Sequence, residues 1–259
     1  MPDLFDMELR SQRRDRAARL GPELFLYDRV FDDCCERIEL TGRRFGRALL
    51  VGCPDPNWPE RLRGVADEID ARDPGQLFAA RARGSTITED AWEPRQAAYD
   101  LVIALGTLDS VNDLPLALRL IRYAMSPDGL FLGAMSGGDT LPQLRAAMRA
   151  ADAVAGVAAP HVHPRIDASA LAPLLPDAGF ANPVVDVDRI MVSYRSLERL
   201  VADLRAMGAT NVLTERPRFV GRQARAAAIA AFAAAGEDHD RTPETFEILH
   251  FAAWSAKEK

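Results

Sequence analysis

Residues 99–145, YDLVIALGTLDSVNDLPLALRLIRYAMSPDGLFLGAMSGGDTLPQLR, contain a strand, a helix and a second strand in that order. Residues 100–105 are apolar at every position after Asp100, the pattern of a parallel strand covered on both faces. Gly106 and Thr107 end it. Leu114, Leu116, Leu118, Leu120, Ile121 and Met125 fall in a helical segment, and Asp113 stands where a side chain can cap its first turn. Ser126-Pro127-Asp128-Gly129 closes the helix as a turn, and residues 130–135 form the next buried strand. The unit is βαβ. Two parallel strands need a crossover, and that crossover is right-handed in nearly all proteins.

A chain of 259 residues can bury a large core and fits one elaborated α/β domain better than two small ones. Its formal charge of −6 argues against a generally basic nucleic-acid binder. Cys34, Cys35 and Cys53 are too few and too badly spaced for a zinc knuckle or a disulfide framework, which points to a reducing, cytoplasmic compartment. No stretch approaches the roughly 18 uninterrupted apolar residues of a membrane span. The first residues include acids and lack an apolar centre, so no signal peptide is expected.

Working outward, residues 11–20 and 24–40 read as helices, and residues 47–52 (RALLVG) as the first strand and the start of its loop. Residues 76–81 read as the next strand. Glu89-Asp90-Ala91-Trp92 makes a later loop, and residues 141–154 a helix. His161 and His163 could chelate a metal, but no acidic or cysteine partners accompany them, so a pocket wall or a solvated loop is the better reading. Asp167 is placed to cap a helix over residues 168–178 that Gly179 ends. Residues 184–194 and 245–254 alternate as two long strands, separated by a helical insertion over residues 196–235 and an acidic loop at 237–240. A Walker loop, a Gly-x-Ser-x-Gly elbow and a Cys/His nucleophile pair are all absent from the sequence.

An Asp-Leu-Val strand, a helix and a Pro-Asp-Gly turn before an apolar strand resemble the fourth and fifth strands of class I S-adenosylmethionine-dependent methyltransferases. Val111-Asn112-Asp113-Leu114-Pro115, with Gly137-Gly138-Asp139-Thr140-Leu141 and Leu144-Arg145, is similar to one branch of them. That branch contains respiratory complex I assembly factor 5 and the malonyl-carrier-protein methyltransferase of biotin synthesis. The first is the nearer resemblance, supported by Leu4-Phe5-Asp6 and residues 14–18 (RDRAA), by residues 203–208 (DLRAMG) with Asn211, and by Phe246-Glu247-Ile248 with Trp254.

The resemblance implies an α/β, Rossmann-like class I methyltransferase fold. Its sheet would be seven-stranded and mostly parallel, with an antiparallel edge hairpin. Residues 1–45 would be an N-terminal helical lid or a packing cap, 46–137 a nucleotide-binding-like core, and 138–259 a C-terminal part carrying the insertion. S-adenosylmethionine would meet Gly52, Asp90, Ala91, Trp92, Leu105 and Gly106, although Trp92 could equally be a surface residue on a capped turn. Asp109, Asn112, Asp139, Tyr194, Arg195, Arg205 and Asn211 would border the substrate, and Arg216 would either join them or belong to a solvated face. Neither a metal nor a particular catalytic residue is implied. The substrate would be a protein or a carrier-linked group. For the assembly-factor relatives the resemblance implies arginine hydroxylation on a complex I subunit, which would make such a subunit a partner.

The cofactor loop departs from this pattern. A methyltransferase loop carries an acid near the strand end and three close glycines, because the backbone must approach the cofactor with no Cβ in the way. Here Leu50-Val51-Gly52-Cys53-Pro54-Asp55-Pro56 keeps only Gly52, and proline donates no N–H. With residues 76–81 as the second strand, no acid ends it to bind the ribose. Losing several charged contacts of about 1.5–3 kcal/mol each weakens affinity by roughly a hundredfold or more. Two readings therefore stand, an S-adenosylmethionine-dependent enzyme and a non-catalytic descendant that holds a protein partner. A dehydrogenase is weaker than either, since it needs the same loop and ribose acid.

Overall fold

The computed structural model describes residues 3–216, 220–236 and 241–256. Two helices, α1 (Met7–Leu20) and α2 (Phe25–Leu40), precede the sheet. The chain then runs through β1 (Phe45–Val51), α3 (Trp58–Leu62), β2 (Ala66–Asp73), α4 (Gln76–Arg81), β3 (Ser85–Thr86) and β4 (Tyr99–Leu105). After a 3₁₀ turn come α5 (Leu114–Ala124), β5 (Met125–Ser136), α6 (Pro142–Ala155), α7 (Ala168–Asp177) and β6 (Phe180–Tyr194). The chain finishes with α8 (Leu197–Ala206), α9 (Arg222–Ala234) and β7 (Thr242–Ser255). The strands form one sheet in the order β3-β2-β1-β4-β5-β7-β6, parallel except for β7, which runs antiparallel to both its neighbours.

The period of two along the central strands divides the core. Leu49, Val51, Val102, Ala104 and Phe131 face one side, where they pack with α5 and α7. Ala48, Leu50, Leu101, Ile103 and Leu132 face the other, where Phe31 of α2 stacks on Trp58 of α3 at 4.4 Å between ring centres. Both faces are covered, so the strands are apolar throughout. Asp113 caps α5 by accepting the Leu116 N–H at 2.8 Å, as its position in the sequence predicts. Among the described residues no helix is long and apolar enough to cross a membrane.

Three local expectations are corrected. The second strand is β2, paired in parallel with β1 from Phe45↔Ala66 to Val51↔Arg72, and residues 76–81 form α4 instead. Phe78 in that apolar run is buried under Ala17 and Ala18 of α1, a helix-on-helix contact that a short apolar stretch cannot distinguish from a strand. Ser126–Gly129 is not a separate turn but the opening of β5, where the pairing with β4 shifts register and Asp128 adopts φ +60°. Asp167 precedes α7 without a side-chain capping bond, and its Oδ1 instead lies 2.1 Å from where a Cβ on Gly138 would stand. Helices α8 and α9 fall between β6 and β7, and the acids at 237–240 lie outside the described residues.

Gly133 in β5 tests the packing. A Cβ there would lie 2.1 Å from the Phe251 ring. Gly133→Ala should lower stability by about 1–3 kcal/mol in urea unfolding, the usual range for overpacking, and adding Phe251→Leu should restore part of the loss.

Candidate cofactor crevice

The carboxyl ends of the parallel strands are where an open α/β sheet leaves a crevice. Gly52 leaves β1 with φ +81°, and a Cβ on it would stand 2.1 Å from the Leu105 carbonyl oxygen at the end of β4. Only glycine permits that approach. The next N–H, of Cys53, donates to Asp73 at 2.9 Å, and the Gly75 N–H donates to the same carboxylate at 2.7 Å. Strand β2 therefore does end in an acid, contrary to the reading that placed the strand at residues 76–81.

Asp73 is fully buried, and its partner comes from the helical N-terminus. Arg14 of α1 donates through Nε and a terminal nitrogen to the two carboxylate oxygens, at 2.6 and 2.5 Å. One helical turn earlier, Arg10 bonds both oxygens of buried Glu89 at 2.7 and 2.8 Å and also reaches the Thr107 carbonyl at 2.7 Å. Spacing of four residues puts both guanidinium groups on one face of α1. Burial works against the Arg14 charge, but Asp73 more than offsets it and holds the guanidinium above its ordinary pKa. Removing one partner from a buried pair of this kind typically costs about 3–5 kcal/mol, because the other charge is left unpaired.

These contacts decide whether the crevice fits S-adenosylmethionine. Pro54 and Pro56 supply no N–H to the loop, and arginine occupies both oxygens of Asp73 at the end of β2 and of Glu89 beyond β3. Gly106, with φ +62°, is covered by Tyr27, whose ring would be 2.7 Å from a Cβ there. The space left beneath α1 and α2 is about 100 Å³, against roughly 300–1,000 Å³ for a small-molecule site. As arranged, the space beneath α1 and α2 does not admit that cofactor.

Of the other residues that the resemblance assigned to the cofactor, Ala91 and Trp92 line, with Arg10, Pro74 and Thr88, a further cavity of about 400 Å³ beside α1. Asp90 accepts the N–H groups of Asn112 and Asp113, both at 2.9 Å. Ala91 is exposed, Leu105 is buried in the core, and Trp92 is buried with the Arg72 guanidinium 5.0 Å from its ring centre.

Of the expected substrate residues, Asp109 lines the small cavity, paired with Arg165 at 2.5 Å. Burial would raise the Asp109 carboxyl, yet Arg165 and His163 hold it below its usual range. Asn112 lies elsewhere: it accepts the Phe5 N–H at 2.8 Å and donates to the Phe5 carbonyl at 3.1 Å, clamping the N-terminal segment. Asp139 pairs with Arg189 on the surface, Tyr194 is packed among Leu197, Leu200 and Phe246, and Arg195 is exposed. None of those four lines the cavity. Arg205, Asn211 and Arg216 border a second cavity beside it.

The histidines do not gather a metal set among the described residues. His161 bonds Asp152 at 2.7 Å, and the Nε2 of buried His163 accepts the Val212 N–H at 2.9 Å, which leaves its ring proton on Nδ1. Burial and then Arg165 push His163 down to about 4. Sequence reasoning missed Arg10, Arg14, Asp73 and Tyr27 as crevice residues, and in the loop Glu89-Asp90-Ala91-Trp92 it assigned Asp90 where Glu89 is the acid that meets α1. The available signal was the spacing of Arg10 and Arg14, four residues apart near the N-terminus.

A methyltransferase-domain family matches residues 10–183. The chain is 33% identical over 273 residues to the mitochondrial arginine-hydroxylase NDUFAF5 of Mus musculus, covering 97% of this chain and 77% of the mouse protein. It is 35% identical over 261 residues to the malonyl-[acyl-carrier protein] O-methyltransferase of Laribacter hongkongensis, covering 93% and 84% of the two chains. Among solved structures, the YcgJ protein of Bacillus subtilis matches with a TM-score of 0.59 at 10% identity, over 86% of this chain and 97% of that one, a likeness of fold.

His163 generates a pH prediction. Its folded pKa of about 4 lies below the ordinary value of about 6.5. Between the two, the unfolded chain binds a proton that the native chain does not. The associated stability is complete above about pH 6.5 and is lost as the pH falls toward 4. In His163→Gln the amide oxygen can still accept the Val212 N–H, and the wild-type-minus-variant difference in urea midpoint should shrink steadily from pH 7 to pH 4.5.

Proposed function

The chain belongs to the methyltransferase-domain family, in the branch of the arginine hydroxylase NDUFAF5, and on that premise we propose that it is an assembly factor that uses the methyltransferase fold to hold a protein partner. The observation that carries the reading is the bidentate seating of Arg10 on Glu89 and Arg14 on Asp73. A nucleoside cofactor would need the acid at the end of β2 as an acceptor for its ribose hydroxyls, and here helix α1 takes Asp73 and, through Arg10, also Glu89. By resemblance to the assembly-factor relatives, the partner is a respiratory complex I subunit. The pair of helices ahead of the sheet and the insertion between β6 and β7 are the parts available to meet it.

A second reading, enzymatic use of S-adenosylmethionine on a protein or carrier-linked group, draws on one specific observation. The acid at the end of β2 is still present, and withdrawal of α1 would free it. The NDUFAF5 and malonyl-[acyl-carrier protein] O-methyltransferase names belong to relatives that cover most of the chain.

Calorimetric titration of the folded protein with S-adenosylmethionine and S-adenosylhomocysteine separates the two. The assembly reading expects no saturable heat up to millimolar ligand. Saturation in the micromolar range would contradict it and restore the enzyme.

A further inference from the structure

Helix α1 carries two further arginines on a different face, and their surroundings are the reverse of those of Arg10 and Arg14. Arg13 and Arg16 border the second cavity, together with Arg205 at the end of α8 and Arg216 in the following loop. Among the described residues, neither Arg13 nor Arg205 has a hydrogen-bond or ion-pair partner. Arg16 reaches only the Thr210 hydroxyl, at 3.0 Å, and Arg216 has the one carboxylate of the group, Asp6 at 3.3 Å. The Nε atoms of Arg13 and Arg16 are buried without a bond. Burial and the neighbouring arginines lower the pKa of both Arg13 and Arg16. Like charges one turn apart on a helix repel, so this face is destabilised unless an anion joins it. The chain as a whole is acidic, which makes an uncompensated basic cluster a local arrangement and not a reflection of composition.

Part of the lining has different chemistry: Leu144, Met148, Val201 and Val220 border the same cavity as the arginines. The cavity is about 500 Å³, within the roughly 300–1,000 Å³ of small-molecule sites. Arg165 also lines the cavity but is paired with Asp109, and the other four guanidinium groups against Asp6 leave about three positive charges, which match a phosphate monoester at −1.5 to −2 better than a single carboxylate. Guanidinium also meets phosphate in a two-bond fork.

We infer that this cavity is a binding site for an organic phosphate with an apolar tail, whose head meets Arg13, Arg16, Arg205 and Arg216 and whose tail lies on Leu144, Met148, Val201 and Val220. The site adjoins the crevice that Arg10 and Arg14 close and shares His163, Arg165 and Thr210 with it, and because Arg13 and Arg16 also sit on α1 it rests on the reading in which that helix stays docked.

The test is calorimetry on the full chain with octyl phosphate below its micelle concentration, alongside inorganic phosphate, octanoate and octyltrimethylammonium. Octyl phosphate should saturate one site. Inorganic phosphate and octanoate should each bind about tenfold more weakly or worse, and the cation should not bind. In Arg13→Gln/Arg205→Gln the octyl phosphate affinity should fall at least about tenfold, since each charge-assisted bond carries about 1.5–3 kcal/mol. The ligand-free melting temperature of that variant should equal or exceed the wild-type value, because repulsion has been removed. No saturable binding, equal affinity in the variant, or equal binding of the cation would overturn the site. Octanoate matching octyl phosphate would overturn the phosphate head, and inorganic phosphate matching it would overturn the apolar tail.

Discussion

The buried pair of Arg14 and Asp73 is the constraint on which the rest of the crevice depends. One carboxylate receives the Arg14 guanidinium, the Cys53 N–H after β1 and the Gly75 N–H before α4. Three separate segments, the β1 loop, the end of β2 and α1, are therefore held by one acceptor. The approach is close enough that a Cβ on Gly75 would stand 2.7 Å from the Arg14 Cβ. With Arg10 seated in the same way on Glu89, helix α1 behaves as a fixed part of the crevice. The loop prolines agree with that arrangement, because a crevice filled by guanidinium groups has no use for further backbone donors.

The same helix also explains why two cavities lie side by side. Residues 10 and 14 of α1 project to one face and residues 13 and 16 to another. The first face meets carboxylates that have been waiting at strand ends, where this fold places ligand-recognising groups. The second meets apolar side chains and more arginines. Charge on one short helix is thus neutralised within the protein on one side and left available on the other.

How much of this was legible in the sequence depended on the range of the interaction. The β4-α5-β5 unit declared itself through buried apolar strands, and Asp113 through a cap three residues from its donor. Strand β2 did not, since ADEIDARD lies beside a two-residue β3 near the sheet edge and keeps several polar side chains half-exposed. Its neighbour α4 looked more like a strand because Phe78 is buried against α1. The crevice pairs join residues 59 and 79 positions apart, and no local period encodes such a contact. Asn112 shows the same limit: its motif was visible, but its use as a clamp on the Phe5 backbone arises only when the chain folds.

The most direct measurement is a double-mutant cycle between α1 and β2, using Arg14→Met, Asp73→Asn and the combined variant in urea unfolding. If the pair holds the crevice closed, each single change should lose more than about 2 kcal/mol and the coupling between them should be about 2–3 kcal/mol. Additive losses, with coupling inside about 0.5 kcal/mol, would contradict a crevice organised around that contact.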